Sequence, residues 1–138
     1  MLKRRIIPIE LYSSGRLVKT KQFLSPRDVG HPIKSSQVYS DQNADELVLL
    51  NIDRNRTIDK NFSDTILQIS KSSFIPLMVG GGIRSLSDAD LCFESGADKV
   101  ILNSSVYRTQ NLIYCLAKKF GSNQSTCVLP GFNNLVIV

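Results

Sequence analysis

The sequence predicts an α/β fold in which strands and helices alternate and the strands form a parallel sheet. One indication is the alternation itself, because short apolar runs are followed by segments with the apolar spacing of helices. Another is an internal echo, since residues 44–51 (ADELVLLN) resemble residues 97–104 (ADKVILNS). This offset of about 53 residues accommodates two strand–helix pairs. Two such units make four pairs, which is half of an eight-stranded barrel.

The first element is expected to be a strand at residues 5–9 (RIIPI), whose continuous apolar character is typical of a buried parallel strand. A long loop is expected at residues 12–30, and residues 15–19 (GRLVK) within it can form a small hairpin. Because proline suits the first turn of a helix, helix one is predicted from Pro32 to about Asn43.

The later elements follow the same alternation. Ser85 is a good N-cap and Gly96 a typical helix stop, so they bound the third helix. A fifth strand is expected near Cys127. Strands two to four are predicted at residues 46–52, 76–79 and 99–102, and helices two and four at residues 63–72 and 110–120.

Length and composition bound the class of protein. A chain of 138 residues is one domain at most, and 42% hydrophobic residues allow a sizeable core. No run of 18 apolar residues is present, so no membrane span is expected. The basic start of the chain lacks the long apolar segment of a secretory signal. We therefore expect a cytoplasmic protein with no membrane partner.

The net charge of +5 favours an anionic partner. The cations are scattered, with no basic helix or aromatic stacking platform, so no nucleic acid partner is expected. A phosphorylated small molecule is the preferred ligand, and a merely solvated surface is the alternative. His31 is the only histidine and the three cysteines form no CxxC pair. Neither a metal site nor a cofactor is therefore expected.

The most informative motif is residues 79–84 (VGGGIR), which follow an apolar run and precede a predicted helix. Glycines at a strand end expose backbone N–H groups and permit positive φ, which suits a phosphate. The helix beyond them adds the positive end of its dipole. A flexible turn is the alternative. The next strand ends in Asn103 and Ser104, and parallel strands place both ends on one rim.

Five motifs occur in a fixed order along the chain. They are residues 5–8 (RIIP), 15–19 (GRLVK), 45–48 (DELV), 79–83 (VGGGI) and 96–100 (GADKV). Together they resemble HisF, the cyclase subunit of imidazole glycerol phosphate synthase, which is a (β/α)8 TIM barrel. The resemblance covers about residues 1–122, the first half of that barrel, and leaves residues 123–138 as a divergent tail.

The resemblance implies an activity and a substrate site. In the family, ammonia from a HisH glutaminase passes through the barrel and converts the phosphorylated intermediate PRFAR into imidazole glycerol phosphate and AICAR. One substrate phosphate is held at the third and fourth strand ends, and a lysine binds substrate near the site. The matching residues in this chain are Lys19, Gly81, Gly82, Asn103 and Ser104.

The resemblance also implies an ammonia entrance at the opposite rim of the barrel. A ring of charges surrounds this entrance in the family, and Arg5, Glu46 and Lys99 match its positions. Asp98 matches a position that contacts the glutaminase partner. Ordinary salt bridges at the base of the barrel are the alternative interpretation.

The chain departs from the family at both catalytic aspartates. Acid–base catalysis of this kind needs two carboxylates whose pKa values are tuned apart. Leu11 occupies the first position, and residues 125–131 (STCVLPG) offer no acid at the second. Glu10 is adjacent, but side-chain alternation predicts that it points away from the barrel interior. No catalytic residue is assigned, and the isolated chain is not expected to catalyse cyclisation.

Three interpretations remain open. The chain can be an enzyme subunit, either of histidine biosynthesis or of a HisF-like branch that serves sugar amidation in surface-polysaccharide synthesis. Leu11 and residues 17–20 (LVKT) resemble that branch, and Asn51 replaces a family aspartate. It can instead be a non-catalytic half barrel that docks a glutaminase or a second half barrel through open sheet edges. The tail from residue 123 supports a third interpretation, a non-functional fragment.

Overall fold

The computed structural model describes residues 3–22, 24–53, 57–109, 111–121, 125–131 and 134–137. Within them the strands form one sheet, in the spatial order β3-β2-β1-β4-β5-β6-β7-β8. The strands are β1 (Ile9–Ser13), β2 (Arg16–Lys21), β3 (Leu24–Gly30), β4 (Leu47–Asn51), β5 (Leu77–Gly80), β6 (Lys99–Leu102), β7 (Ser125–Gly131) and β8 (Asn134–Ile137).

Helices connect the parallel strands β1, β4, β5, β6 and β7, which pair in that order. This arrangement confirms four strand–helix units of a partial (β/α)8 barrel. Across the described ranges, no helix has the length and apolarity needed to cross a membrane. The helices are α1 (Pro32–Asp41), α2 (Lys60–Ser72), α3 (Leu86–Glu94), α4 (Ser105–Arg108) and α5 (Leu112–Phe120).

The start of the chain differs from the sequence prediction. The first strand spans Ile9–Ser13 rather than residues 5–9, and the predicted loop at residues 12–30 is a long antiparallel hairpin of β2 and β3. The turn between β1 and β2 explains why the chain reverses direction after Ser13 and pairs with itself where a loop was expected. Ser14 and Gly15 have φ values of 49° and 83°. Two consecutive positive φ angles are typical of the tight turn that joins hairpin strands.

Both faces of the central strands are covered, which explains their continuous apolar runs. In β4, Leu47 and Leu49 face the helices, whereas Val48 faces the opposite side with Met78 and Ile101. The opposite side corresponds to the barrel interior. The helix-facing core includes the buried side chains of Tyr12, Leu47, Leu49, Phe62, Ile66, Ile69, Leu77, Val79, Val100, Leu102 and Leu116.

Cys92 is a packing residue of the helix layer. It lies on α3, has no exposed surface and belongs to the helix-facing core. Burial, with a smaller contribution from the nearby Asp88 carboxylate, raises the pKa of its thiol to about 12. Cys115 lies half-buried on α5.

Glu10 is a buried carboxyl on the helix-facing side of β1. It is in register with Leu49 of the helix-facing core, so it points away from the barrel interior as predicted. Only 5% of its surface is exposed, and neither carboxylate oxygen has a hydrogen-bond partner among the described residues. Burial raises the pKa of Glu10, and the nearby Ser35 side chain opposes this shift. The carboxyl therefore costs stability in its charged form.

Replacing Glu10 by leucine is expected to raise the free energy of unfolding at pH 7 by about 1–3 kcal/mol, because an unpartnered buried carboxyl is removed. A raised folded-state pKa means that the contribution of Glu10 to stability is highest below the ordinary pKa of a glutamate and falls as pH rises through the folded-state pKa. The gain from Glu10→Leu should therefore grow between acidic and neutral pH. Urea unfolding across this range measures it.

Glu94→Leu is the matched control for this measurement, because Glu94 is an exposed glutamate on α3. It should change the free energy of unfolding little and without the same dependence on pH. An equal gain for the two variants at neutral pH would contradict the account given for Glu10.

Candidate functional site

The predicted phosphate residues follow two neighbouring strands. Gly81 and Gly82 come after β5, and Asn103 and Ser104 come after β6. Because β5 and β6 pair in parallel, these segments lie at the same edge of the sheet. Asn103 and Ser104 are exposed, and the Ser104 hydroxyl makes no capping bond to α4. Their role in binding stays a prediction.

The glycine loop has a backbone that only glycine tolerates. Gly81 and Gly82 have φ values of 91° and 85°, in the left-handed region. A Cβ atom at Gly81 would collide with the carbonyl oxygen of Asn51, which ends β4. The loop is therefore packed against the neighbouring strand end and is not a freely flexible turn.

Three consecutive backbone N–H groups of the loop have no hydrogen-bond partner among the described residues. Among the described residues, no hydrogen bond uses the N–H groups of Gly81, Gly82 or Ile83. The next two amides are occupied, because Asp88 Oδ2 accepts from Arg84 N at 2.9 Å and Ser85 N at 3.1 Å. The predicted contribution of the α3 dipole to anion binding is therefore reduced, since the Asp88 carboxylate already lies at the N-terminus of the helix. The glycine amides remain as the donors for an anion.

Lys19 has no direct bond to the glycine loop. It is exposed on β2, opposite Arg27 of β3. No hydrogen bond or ion pair of the described residues joins it to the ends of β5 or β6. The structure therefore brings together the glycine loop and the end of β6, and leaves Lys19 on the neighbouring hairpin.

Arg5, Glu46 and Lys99 meet at the opposite rim. Glu46 Oε1 accepts from Arg5 Nη1 at 3.2 Å and from Lys99 Nζ at 3.1 Å. The exposed fractions of the three side chains are 67% for Arg5, 9% for Glu46 and 28% for Lys99. Lys99 is thus the better-shielded partner of a buried carboxylate. The sequence predicted the cluster, and its role in ammonia entry stays a prediction.

Two aspartates clamp the starts of the strands in the same way. Asp98 Oδ2 accepts from Leu77 N at 2.8 Å, and Asp98 N donates to Leu77 O at 2.9 Å. Asp45 makes the equivalent pair of bonds with Ile6, at 2.7 and 3.0 Å. Asp98 was predicted only as a partner contact, and Asp45 was missed. The internal echo was the available signal, because the two aspartates occupy equivalent positions in it.

A further carboxylate, that of Asp53, lies at the glycine-loop rim, where the end of the second predicted strand was expected. It follows β4, accepts from the Ser13 hydroxyl and accepts from Ser14 N at 3.1 Å. It therefore fixes the turn between β1 and β2. Leu11, at the first position of the family's catalytic pair, is in register with Leu50 and carries no proton-transfer group. Among the described residues, no cluster of three acidic, histidine or cysteine side chains could hold a metal ion.

Comparison with known proteins places this geometry in context. Residues 5–130 match the family model described as histidine biosynthesis protein. The chain is 43% identical to the imidazole glycerol phosphate synthase subunit HisF of Bacteroides fragilis, over 94% of this chain and 51% of that protein. It is 42% identical to the subunit of Phocaeicola vulgatus over the same shares, and 43% identical to that of an Exiguobacterium species over 88% and 48%. The chain thus spans about half the length of these relatives.

Gly81→Ala is expected to destabilise the chain more than Gly15→Ala. Both glycines have positive φ, so each substitution costs about 1–2 kcal/mol of backbone strain. A Cβ at Gly15 meets nothing within 4 Å, whereas one at Gly81 meets the Asn51 backbone. In urea unfolding, Gly81→Ala should therefore lower the free energy of unfolding by at least about 1 kcal/mol more than Gly15→Ala does. Equal losses would show that the glycine loop is not packed against β4.

Lys99→Met is expected to lower the free energy of unfolding by about 1–3 kcal/mol, because it leaves the buried Glu46 carboxylate with only an exposed partner. Arg5→Met should cost less than about 1 kcal/mol, since Arg5 is largely in solvent. Adding Glu46→Gln to Lys99→Met should recover part of the loss in a double-mutant cycle. The assignment fails if the Arg5 and Lys99 variants unfold at the same urea concentration.

Proposed function

This chain belongs to the histidine biosynthesis protein family, and we propose that it forms the first half of a HisF-type barrel. In this proposal, residues 1–122 are the HisF-like half barrel and residues 123–138 are a divergent tail. Residues 122–124, 132, 133 and 138 lie outside the described part of the chain. The tail adds β8 antiparallel to β7, which departs from the strand–helix alternation before it.

The observation that carries the proposal is the glycine loop with its three unused amides. A phosphate at this rim would accept from the N–H groups of Gly81, Gly82 and Ile83. Asn103 and Ser104, at the next strand end, supply an amide and a hydroxyl that can donate to the same anion. This half of the barrel would thus hold one phosphate of a phosphorylated substrate, as the HisF resemblance implies.

The charge cluster supports ammonia entry at the other rim. Glu46 lies on the same face of its strand as Val48, and Lys99 on the same face as Ile101, so both stand at the mouth of the barrel interior. The apolar interior behind them favours neutral ammonia over the ammonium ion. A HisH-type glutaminase would deliver ammonia here and contact Asp98. The fully exposed ring of Phe74, 96% accessible, lies on the same rim.

In this proposal, the chain alone does not cyclise PRFAR. Leu11 cannot transfer a proton, and β7 carries no acid. The carboxylate of Asp53 is already engaged with the turn between β1 and β2. A second candidate follows from the same residues, namely ammonia delivery for sugar amidation, which Leu11 and Asn51 favour. Pairing with a second half barrel through the open edges remains part of the proposal.

Inorganic phosphate tests the glycine loop by isothermal titration calorimetry. Gly82→Val should weaken phosphate binding about tenfold or more, because a β-branched residue cannot adopt the left-handed φ of 85° that aims the amides. Gly15→Val is the control, since it imposes the same strain in a turn outside the loop. Circular dichroism checks that both variants fold. Equal affinity in the Gly82 variant and the unsubstituted chain would refute the proposed phosphate site.

A further inference from the structure

Helix α1 covers the carboxyl of Glu10 on the helix-facing side of β1. Burial raises the pKa of this carboxyl, and the nearby Ser35 side chain of α1 opposes the shift. The adjacent residue of β4 is the apolar Leu49, and no charged group among the described residues contributes to the shift. Both carboxylate oxygens lack a hydrogen-bond partner in the described part of the chain. Ionisation of Glu10 therefore favours separation of α1 from the sheet, because separation lets water reach the charge.

The start of the same helix is capped by His31, the only histidine in the sequence. Its Nδ1 accepts from Ile33 N at 3.3 Å. An imidazole accepts through Nδ1 only while that nitrogen is unprotonated, since both ring nitrogens of an imidazolium are donors. A positive charge at this position also opposes the positive end of the helix dipole. Protonation of His31 therefore weakens the first turn of α1.

No ion pair among the described residues involves His31. The charged residues nearest to it in sequence are Asp28 of β3 and Lys34 of α1. Asp28 is engaged with Arg16 and with Gly30 N, and Lys34 is exposed. The capping bond is thus the interaction of the imidazole that its protonation breaks.

The two ends of α1 are held differently. Its buried residues are Pro32 and Ser36, neither of which carries a large apolar side chain. Near the other end, Ser40 Oγ accepts from Phe74 N at 3.1 Å, which ties that end to the segment before β5. The first turn has little core packing of its own, so its docking is sensitive to the groups beneath it and at its start.

We propose that His31 and Glu10 are an opposed pair of proton-sensitive groups that together hold the first turn of α1 on the sheet. The separated helix binds a proton more readily at His31, and less readily at Glu10, than the docked helix does. Lower pH therefore favours separation through His31, and higher pH favours it through Glu10. Because the two effects oppose each other, docking of α1 stays nearly constant over the pH range in which both groups titrate. This inference is independent of phosphate binding at the glycine loop.

Hydrogen exchange of the 15N-labelled full chain, followed by nuclear magnetic resonance between about pH 5 and pH 8, tests the pair. Protection factors at residues 33 and 35–37 report on the first turn, and those at residues 64–69 report on α2. His31→Asn keeps a capping acceptor that does not titrate, so protection of the first turn should fall about threefold to tenfold as pH rises. Glu10→Gln removes the buried charge, so protection should fall by a similar factor as pH falls.

Glu94→Gln is the matched control, because Glu94 is an exposed glutamate on α3 and its loss should leave the pH dependence of the first turn unchanged. Opposite slopes in the His31 and Glu10 variants, confined to the first turn, support the pair. Slopes of the same sign, or no slope in either variant, would overturn it. Equal changes at the α2 amides would also overturn it, since the whole chain would then be opening. Glu10→Leu should reproduce the slope of Glu10→Gln, and failure to do so would refute the role of the Glu10 charge.

Discussion

The contact on which the rest of the structure depends joins Glu46 to Lys99. These residues belong to the starts of β4 and β6, which are separated by β5. Two strands that are not neighbours lie about 9–10 Å apart in a sheet, so the two side chains reach toward each other across the start of β5. The buried carboxylate therefore links the starts of β4 and β6 through an ion pair. Its desolvation is tolerable only while the lysine remains beside it.

The internal echo explains how polar groups are used at the rim that holds Glu46 and Lys99. Asp45 and Asp98 occupy equivalent positions and bind Ile6, which precedes β1, and Leu77, which begins β5, by the same two hydrogen bonds. Glu46 and Lys99 are the next equivalent pair, and here the repeat carries opposite charges. At this rim the polar groups are thus engaged in aligning the strands. The other rim carries glycine amides without partners among the described residues, which leaves them available to a ligand.

The sequence predicts the central part of the fold well and the start of the chain poorly. Strands β4 to β6 and the caps of α3 follow from apolar runs, Ser85 and Gly96, because burial on both faces and local hydrogen bonding dictate them. Only a small hairpin at residues 15–19 was predicted where β2 and β3 form a long one, since β3 is exposed on both faces and leaves no alternating pattern. The role of Asp53 depends on turn geometry, which composition does not reveal.

The candidate site likewise combines features that the sequence predicts with features that it does not. The glycine loop and the Arg5–Glu46–Lys99 cluster could be located from motifs and resemblance. The occupation of the Arg84 and Ser85 amides by Asp88 could not be predicted. An aspartate three residues into a helix is equally common as a cap and as a surface charge. The outward orientation of Glu10 followed from strand periodicity alone. The lack of a hydrogen-bond partner for Glu10 did not follow from the sequence, since it depends on which side chains of α1 come near the carboxyl.

The buried thiol of Cys92 has a consequence for how the helix layer can be observed. With a pKa near 12 and no exposed surface, it is almost entirely protonated and inaccessible at neutral pH. Alkylation at Cys92 therefore requires that α3 first separate from the sheet. The rate of alkylation at Cys92 therefore measures local opening of α3 from the sheet in the native chain, without denaturant.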